Sequence, residues 1–196
     1  DAMERHNCEL EDLGVPRPAT TPMFYRVSGS RVTTSHCIQV CGPHSSGEVE
    51  IVIVSLNGEK WVGVGSDHTD RELEKHGVTA SKQICDKPVA SPFWSLSDVE
   101  ERWDLLRLRS YVVGKKGREL YQDGTVALLL TPQDLINRFS AETGDELPDG
   151  GMMFCGTLPA VGGVRGAARF EFELSDPVSG WTIAHGYDIV ELPVVG

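Results

Sequence analysis

Apolar residues along this chain recur mostly at every second position, in short runs broken by glycine, proline and acidic residues. Alternation of period two marks strands, because successive side chains point to opposite faces of a sheet. The pattern predicts strands over Met23–Val27, Val32–Val40, Glu48–Ser55, Glu59–Val64 and Leu105–Val113. Further strands are expected over Thr125–Leu130, Met152–Cys155, Ala168–Leu174 and Thr182–Val190. Helical periodicity is scarcer. Asp1–Leu13 reads as a helix with Met3, Leu10 and Leu13 on one face, stopped by Gly14 and Pro16. Shorter helices are expected at Thr69–His76, Ser97–Trp103 and Pro132–Ser140, and Val15–Pro22, with three prolines, reads as a loop. Many short strands, Gly-rich turns and no βαβ alternation indicate a β-rich α+β domain with a few peripheral helices. At 196 residues, one domain covering 1–196 is expected. The chain opens at Asp1 rather than Met, which leaves room for an upstream piece.

The stretch from Gly47 to Glu74 carries the strongest chemical signal. Asn57-Gly58 marks a two-residue hairpin turn of type I′. An unbroken register from that turn sets Glu48 opposite Asp67 and Glu50 opposite Gly65, with Glu48 and Glu50 on the same face. Val49, Ile51, Val52, Ile53 and Val54 make the strand apolar on both faces, so it is expected to be buried. Two carboxylates about 5–6 Å apart repel by roughly 3 kcal/mol at an effective dielectric near 20. A whole domain holds only about 5–15 kcal/mol of stability. A proton, a neighbouring lysine or arginine, or a divalent cation would relieve the repulsion, and hard carboxylate oxygens suit Mg²⁺, Mn²⁺ or Ca²⁺. The plainer alternative is a solvated hairpin edge bearing ordinary surface acids. Spacing alone leaves both open.

Around this hairpin stand other candidates. Thr69 and Glu72 have capping-box spacing, with Gly77 as the helix stop. Asp67, Asp70, Arg71 and Glu74 then share a helix face, so Arg71 either meets an anionic group or pairs with Glu74 or Asp67. His68 reads as an extra ligand, a group behind Asp67, or a surface histidine. His6 and Glu9, three apart on the first helix, form either a general base with its orienting carboxylate or an ordinary surface pair. His36, Cys37, Cys41 and His44 have a loose zinc-like spacing, but strand alternation turns His36 away from the thiols. Trp61, Trp94, Trp103 and Trp181 read as core or interface residues, and the acid-rich Glu142–Asp149 as a solvated loop. The chain has no GxSxG, P-loop or GxGxxG motif; Gly63-Val64-Gly65 belongs to the hairpin.

Composition narrows the partners. A net charge of −11 disfavours nucleic acid and anionic membranes. No apolar run approaches the roughly 20 residues needed to span a bilayer, and the charged opening residues lack a signal-peptide core. Five cysteines without a CxxC, with Cys37 and Cys41 about 13 Å apart along one strand, read as reduced thiols in a cytoplasmic setting.

Taken in order, several motifs resemble the fumarylacetoacetate hydrolase superfamily, and most closely a bacterial branch of it without assigned activity. MERHNCELEDLGVPRPATTPMFYRVSGS looks like its segment with a histidine, a glutamate three residues on, prolines and an aromatic strand. GEVEIVIV looks like its Glu-x-Glu metal strand and GSDHTDRELE like its Asp-bearing turn. Lys82 in ASKQICDKP falls where the family places a lysine, and LRLRSYVVGKKGRELYQDGT is similar to its strand–turn–strand. GGMMFCGTLPAVGG looks like its Gly-Thr-Pro loop. The resemblance implies a single domain of rolled mixed β-sheets around a pocket, in a homodimer. It implies Mg²⁺ (or Mn²⁺, or Ca²⁺) on Glu48, Glu50 and Asp67. It implies catalysis by His6, Glu9 and Lys82, with a small organic acid bound by Arg71, Glu74, Gln122 and Thr157. The reactions it implies are metal-dependent hydrolysis or lysis of a 2-oxo or 1,3-diketo acid. Decarboxylation, keto–enol isomerisation and silent ligand binding are the alternatives. This chain departs from the family pattern in three places. Glu50 and Asp67 are separated by a short turn where relatives insert a helical segment. Glu74 stands where many have glutamine, adding a charge that would reject a carboxylate or favour a cation. The loop carries an extra leucine, Leu158.

Overall fold

A computed structural model of the chain describes Cys8, Glu11, Gly14, Val15 and residues 21–195. Of the expected first helix, Cys8 and Glu11 are helical, while His6 and Glu9 lie outside the described residues. In chain order the strands are β1 (Val32–Thr33), β2 (Cys37–Cys41), β3 (Ser45–Ser46), β4 (Val49–Leu56), β5 (Glu59–Ser66) and β6 (Thr69–Asp70). They continue as β7 (Lys87–Pro88), β8 (Trp94–Ser95), β9 (Arg107–Gly114), β10 (Gly117–Thr125), β11 (Met152–Thr157), β12 (Arg169–Ser175) and β13 (Thr182–Leu192). Beyond the helical Cys8 and Glu11, the α-helices among the described residues are α1 (Arg71–Glu74), α2 (Val78–Gln83) and α3 (Pro132–Thr143).

Two sheets form the body: β10-β9-β12-β13-β2, with β13 and β2 parallel, and the antiparallel β11-β4-β5-β8. They pack through β12 and β13 against β5 and β9 against β4. Between them lies the core of Val49, Ile51, Ile53, Val62, Val64, Leu108, Phe170, Phe172, Leu174 and Ile183, all buried. Two small ladders, β1-β7 and β3-β6, sit beside the hairpin end. This is the mixed, β-rich α+β architecture the alternation predicts.

The β4–β5 hairpin has the expected register. Asn57 and Gly58 both adopt positive φ, 54° and 78°, as a type I′ turn requires. Glu50 pairs with Gly65 and Val49 with Ser66; one step further the Asp67 amide donates to the Glu48 carbonyl at 2.9 Å. Because β4 is buried on both faces, the face carrying Val49, Ile51 and Ile53 joins the core, while Glu48 and Glu50 turn to the other side.

Elsewhere the alternation misleads. Residues 23–27 join no ladder; Phe24 packs edge-to-face on Phe139 of α3, at 5.5 Å, so the segment uses its apolar side chains as a wall rather than in a sheet. The expected strand Thr125–Leu130 is a 3₁₀ turn at Val126–Leu128, anchored by the Val126 amide on the Leu106 carbonyl. Ser97–Trp103 is likewise 3₁₀, and the helix expected from Thr69 shrinks to four residues because Thr69 and Asp70 pair with β3. Its N-cap is Asp70, which accepts from the Leu73 amide; Thr69 donates instead to the Asp67 carbonyl. The four tryptophans divide: Trp103 is buried, but Trp181 is 46% exposed.

Gly65 is a point of close approach. A Cβ there would stand 2.8 Å from Phe154, 2.9 Å from Val52 and 3.1 Å from the Pro88 carbonyl. Gly65→Ala is therefore expected to lower the urea midpoint, at a cost of about 1–3 kcal/mol. An unchanged midpoint would show that the hairpin has slack against β7 and β11.

Candidate metal centre

At the open end of the hairpin, Glu48, Glu50 and Asp67 come together, each buried. One carboxylate oxygen from each lies within 4.8 Å of the others. Oxygens around a divalent cation at about 2.1–2.4 Å stand roughly 3–5 Å apart, so the triad has the spacing and the hard donor set for Mg²⁺, Mn²⁺ or Ca²⁺. The residues present fit such an ion.

Three cations surround these acids. Arg71, the first residue of α1, is 2.9 Å from Glu48 Oε1 through Nη2. It also donates from Nη1 to Glu74 Oε2 at 2.9 Å and from Nε to Ser46 Oγ at 2.7 Å. Lys82, on α2, donates to Asp67 Oδ2 at 2.5 Å and stands 3.7 Å from Glu48 Oε2. Lys87 in β7 reaches the other Asp67 oxygen at 3.2 Å. Its ammonium also faces the carbonyls of His68 and Lys82, at 2.5 Å each, and Cys85, at 3.1 Å. It thereby ties the Asp67 turn to the end of α2. The acids hold Lys82 well above the ordinary lysine range against its burial. Burial pushes Lys87 down, opposed by Asp67.

Glu50 has a different environment. Burial first, then the charges of Asp67 and Glu48, push its carboxyl up to about 8. A bulge between Phe154 and Thr157 of β11, with Gly156 at φ 90°, aims the Gly156 amide at Glu50 Oε2, 2.7 Å away. Its positive φ is natural for glycine and strained for other residues.

Behind the acids, His68 is fully buried and corrects the surface alternative. Its Nδ1 is hydrogen-bonded to the Tyr187 hydroxyl at 2.8 Å and its Nε2 to Ser45 Oγ at 2.9 Å. Both ring nitrogens are engaged, and burial together with Arg71 and Lys87 lowers the imidazole to about 3. It stands as a strut behind Asp67. Gln122 is also behind the wall: it accepts from the Val49 amide and Ser110, and donates to Thr157 and the Leu158 carbonyl. Thr157 in turn donates to the Val49 carbonyl.

The acids open on a cavity of about 650 Å³. Among the expected residues, Glu48, Glu50, Asp67, Glu74, Lys82 and Thr157 line it, while Arg71 and Gln122 stand behind. Lys87 also lines it and escapes sequence reading, since a lysine before a proline carries no spacing signal. Tyr25 is a further lining residue, its hydroxyl pushed up by burial. All five cysteines are free thiols, and His36 stacks near His185 rather than near Cys37 or Cys41. Among the described residues no helix is long and apolar enough to cross a membrane.

Residues 1–187 match the model of the family described as "Protein of unknown function (DUF2848)". Curated protein sequences give no match. Among solved structures the chain is similar to a 2-keto-3-deoxy-D-arabinonate dehydratase complexed with magnesium and 2,5-dioxopentanoate. There the TM-score is 0.67 at 14% identity, over 87% of this chain and 63% of that one. It is similar to the protein titled Cg1458, with TM-score 0.63 at 16% identity over 82% and 66%. It is similar also to 4-oxalocrotonate decarboxylase from Pseudomonas putida G7, complexed with calcium and acetate, with TM-score 0.54 at 17% identity over 75% and 60%. The chain thus spans 60–66% of the length of these three. The fold is that of the fumarylacetoacetate hydrolase superfamily.

The Glu50 environment sets a pH signature. A proton on Glu50 competes with a cation, so metal affinity is expected to rise with pH, about tenfold per unit, and to level off near 8. Calorimetry with Mn²⁺ at pH 7, in buffers of different ionisation heat, should register about one proton released; none released, with flat affinity from pH 6 to 8, refutes it. The metal-free protein follows the opposite sign. A carboxyl raised by folding contributes stability below its unfolded value near 4.5 and loses it as pH climbs through about 8. Glu50→Gln, which resembles the protonated form, should therefore gain on the parent in denaturation midpoint between pH 5 and pH 9.

Proposed function

The chain belongs to the DUF2848 family, and we propose that it is a divalent-metal-dependent hydrolase or lyase of a small 2-oxo or 1,3-diketo acid. One observation carries this reading: a buried Glu48–Glu50–Asp67 triad, ringed by cations, forms one end of a cavity. The dehydratase and decarboxylase named above, which share the fold and were solved with magnesium and calcium, support it.

In this proposal Glu48, Glu50 and Asp67 hold the ion, which supplies Lewis-acid polarisation of substrate oxygens. Lys82 presents a permanent positive charge beside Asp67 and stabilises negative charge that develops on a substrate oxygen. Arg71 keeps Glu48 and Glu74 in place, and its part in substrate binding runs through them. Glu74 and Thr157 meet the ligand from the wall; Gln122 acts by fixing Thr157 and the start of β4. His6 with Glu9 activates water for carbon–carbon cleavage. A cytoplasmic homodimer belongs to the same proposal.

A second reading, decarboxylation or keto–enol isomerisation, is supported by the likeness to 4-oxalocrotonate decarboxylase. Those reactions require no activated water. Non-catalytic ligand binding is the third.

Elemental analysis of the purified chain is expected to find about one divalent ion per protomer. Glu48→Gln should lose most of it and, with it, at least about a hundredfold in turnover on a panel of 2-oxo and 1,3-dioxo acids. Retained metal and turnover in that variant would defeat the proposal, and a metal-loaded parent that turns over nothing would leave the binding protein. Loss of turnover in His6→Ala with metal retained selects hydrolysis; undiminished decarboxylation selects the second reading.

A further inference from the structure

The cavity has two chemically different ends. At one stand Glu48, Glu50, Asp67, Glu74, Lys82 and Lys87. Apart from Tyr25, Cys155 and Thr157, the rest of its inner wall, as far as the described residues show it, is hydrocarbon and thioether: Leu130 after the 3₁₀ turn, Leu135 and Phe139 of α3, Leu147, and Met152 and Met153 of β11. Leu135, Phe139, Leu147 and Met153 are buried there. The polar side chains on the remaining side, Thr21, Arg26 and Ser28, are exposed and belong to the rim. Arg26 also lays its guanidinium over the Phe139 ring at 4.8 Å.

A cavity of about 650 Å³ falls within the usual range for drug-sized ligands. A three-carbon acid held at the charged end would leave most of it bare. A hydroxylated tail would fill the space badly, since each hydroxyl moved from water to a hydrocarbon wall is left without a partner. A hydrocarbon tail gains from the same wall.

We infer that the ligand of this cavity is an acid whose polar head meets the triad and whose other end is an apolar tail of several carbons. The inference rests on the reading of the triad as a metal centre for oxo acids and adds the class of substrate. A sugar-derived acid, of the kind that gives the neighbouring dehydratase its name, is thereby disfavoured for this chain.

The test is a binding series on the Mn²⁺-loaded full chain with oxalate, pyruvate, 2-oxobutanoate, 2-oxohexanoate, 2-oxooctanoate and 2-keto-3-deoxy-D-arabinonate. Affinity is expected to rise up to about fourfold per methylene, reaching at least a hundredfold between pyruvate and 2-oxooctanoate, with the sugar acid below both long-chain acids. Leu130→Glu, and independently Met152→Glu, should collapse the ratio of 2-oxooctanoate to pyruvate affinity. Should either variant fail to fold, the series on the parent decides alone. Oxalate binding with a flat chain-length series, or the sugar acid binding as tightly as 2-oxooctanoate, overturns the inference and leaves the metal centre standing. No metal-dependent binding of oxalate or pyruvate overturns both.

Discussion

The structure depends on a balance of buried charge. Glu48, Glu50, Asp67 and Glu74 are all withdrawn from water within one small volume. Several kcal/mol per ion is the cost of such burial unless each charge is compensated. Arg71, Lys82 and Lys87 answer three of the four, and burial pushes the fourth, Glu50, toward its protonated form. The short elements around the hairpin end serve that balance. The β3-β6 ladder and the Arg71 amide bond to the His44 carbonyl set α1 so that Arg71 reaches two carboxylates. Helix α2 carries Lys82, and β7 returns Lys87 to close on the Lys82 and His68 carbonyls.

This arrangement alters the argument from repulsion. Spacing alone leaves a proton, a lysine or arginine, and a divalent cation all open as relief for three acids forced together, and the structure pairs Glu48 and Asp67 with Arg71, Lys82 and Lys87. The case for an ion therefore rests on what is left over. Among the described residues Glu50 is the acid of the four with no cation in ion-pair contact, and the amide of Gly156 is a weak substitute for one. A divalent ion held there would displace such a proton and leave the cluster with a single net positive charge. An acid with one carboxylate restores neutrality, which is the electrostatic reason to look for the ligand among monoanions.

What could be read from residues alone was whatever local geometry dictates. Asn57-Gly58 admits one kind of turn, the turn sets the register, and register with period two puts Glu48, Glu50 and Asp67 together. Lys82 entered only through resemblance, since nothing in its spacing links a lysine on α2 to Asp67. Lys87 and Gly156 were illegible because their roles come from long-range packing: one from a chain return, the other from a bulge that depends on β4 as partner. His68 stays open between three readings in the sequence, because a histidine beside an acid shows no sign of whether Tyr187, far along the chain, will cover it. Strand β10 was legible only by resemblance too. Its residues Gly117–Leu120 are exposed, and its polar side chains join Arg107–Asp123 and Arg118–Glu171 pairs on the sheet's outer face, a pattern that mimics a loop. Conversely, the apolar runs at 23–27 and 126–130 looked like strands because apolar side chains line a cavity as readily as they fill a sheet.

That last confusion bears on function. The two segments that betrayed the alternation rule border the same cavity, the first with Met23 to Val27 and the second with Leu129 and Leu130. A domain of this size gains stability by burying apolar surface in its core, and the core between the two sheets already does so. Phe24, Leu129 and Leu130 pack against that core but stay only partly buried, at the cost of carbon left facing the cavity. Such an expense is intelligible where the wall meets something other than water. Because the cluster of acids and cations closes one end of that space, the molecule that covers the wall must also present a charged head to the triad. The same residues that mislead a reader of the sequence are therefore the ones that describe the ligand.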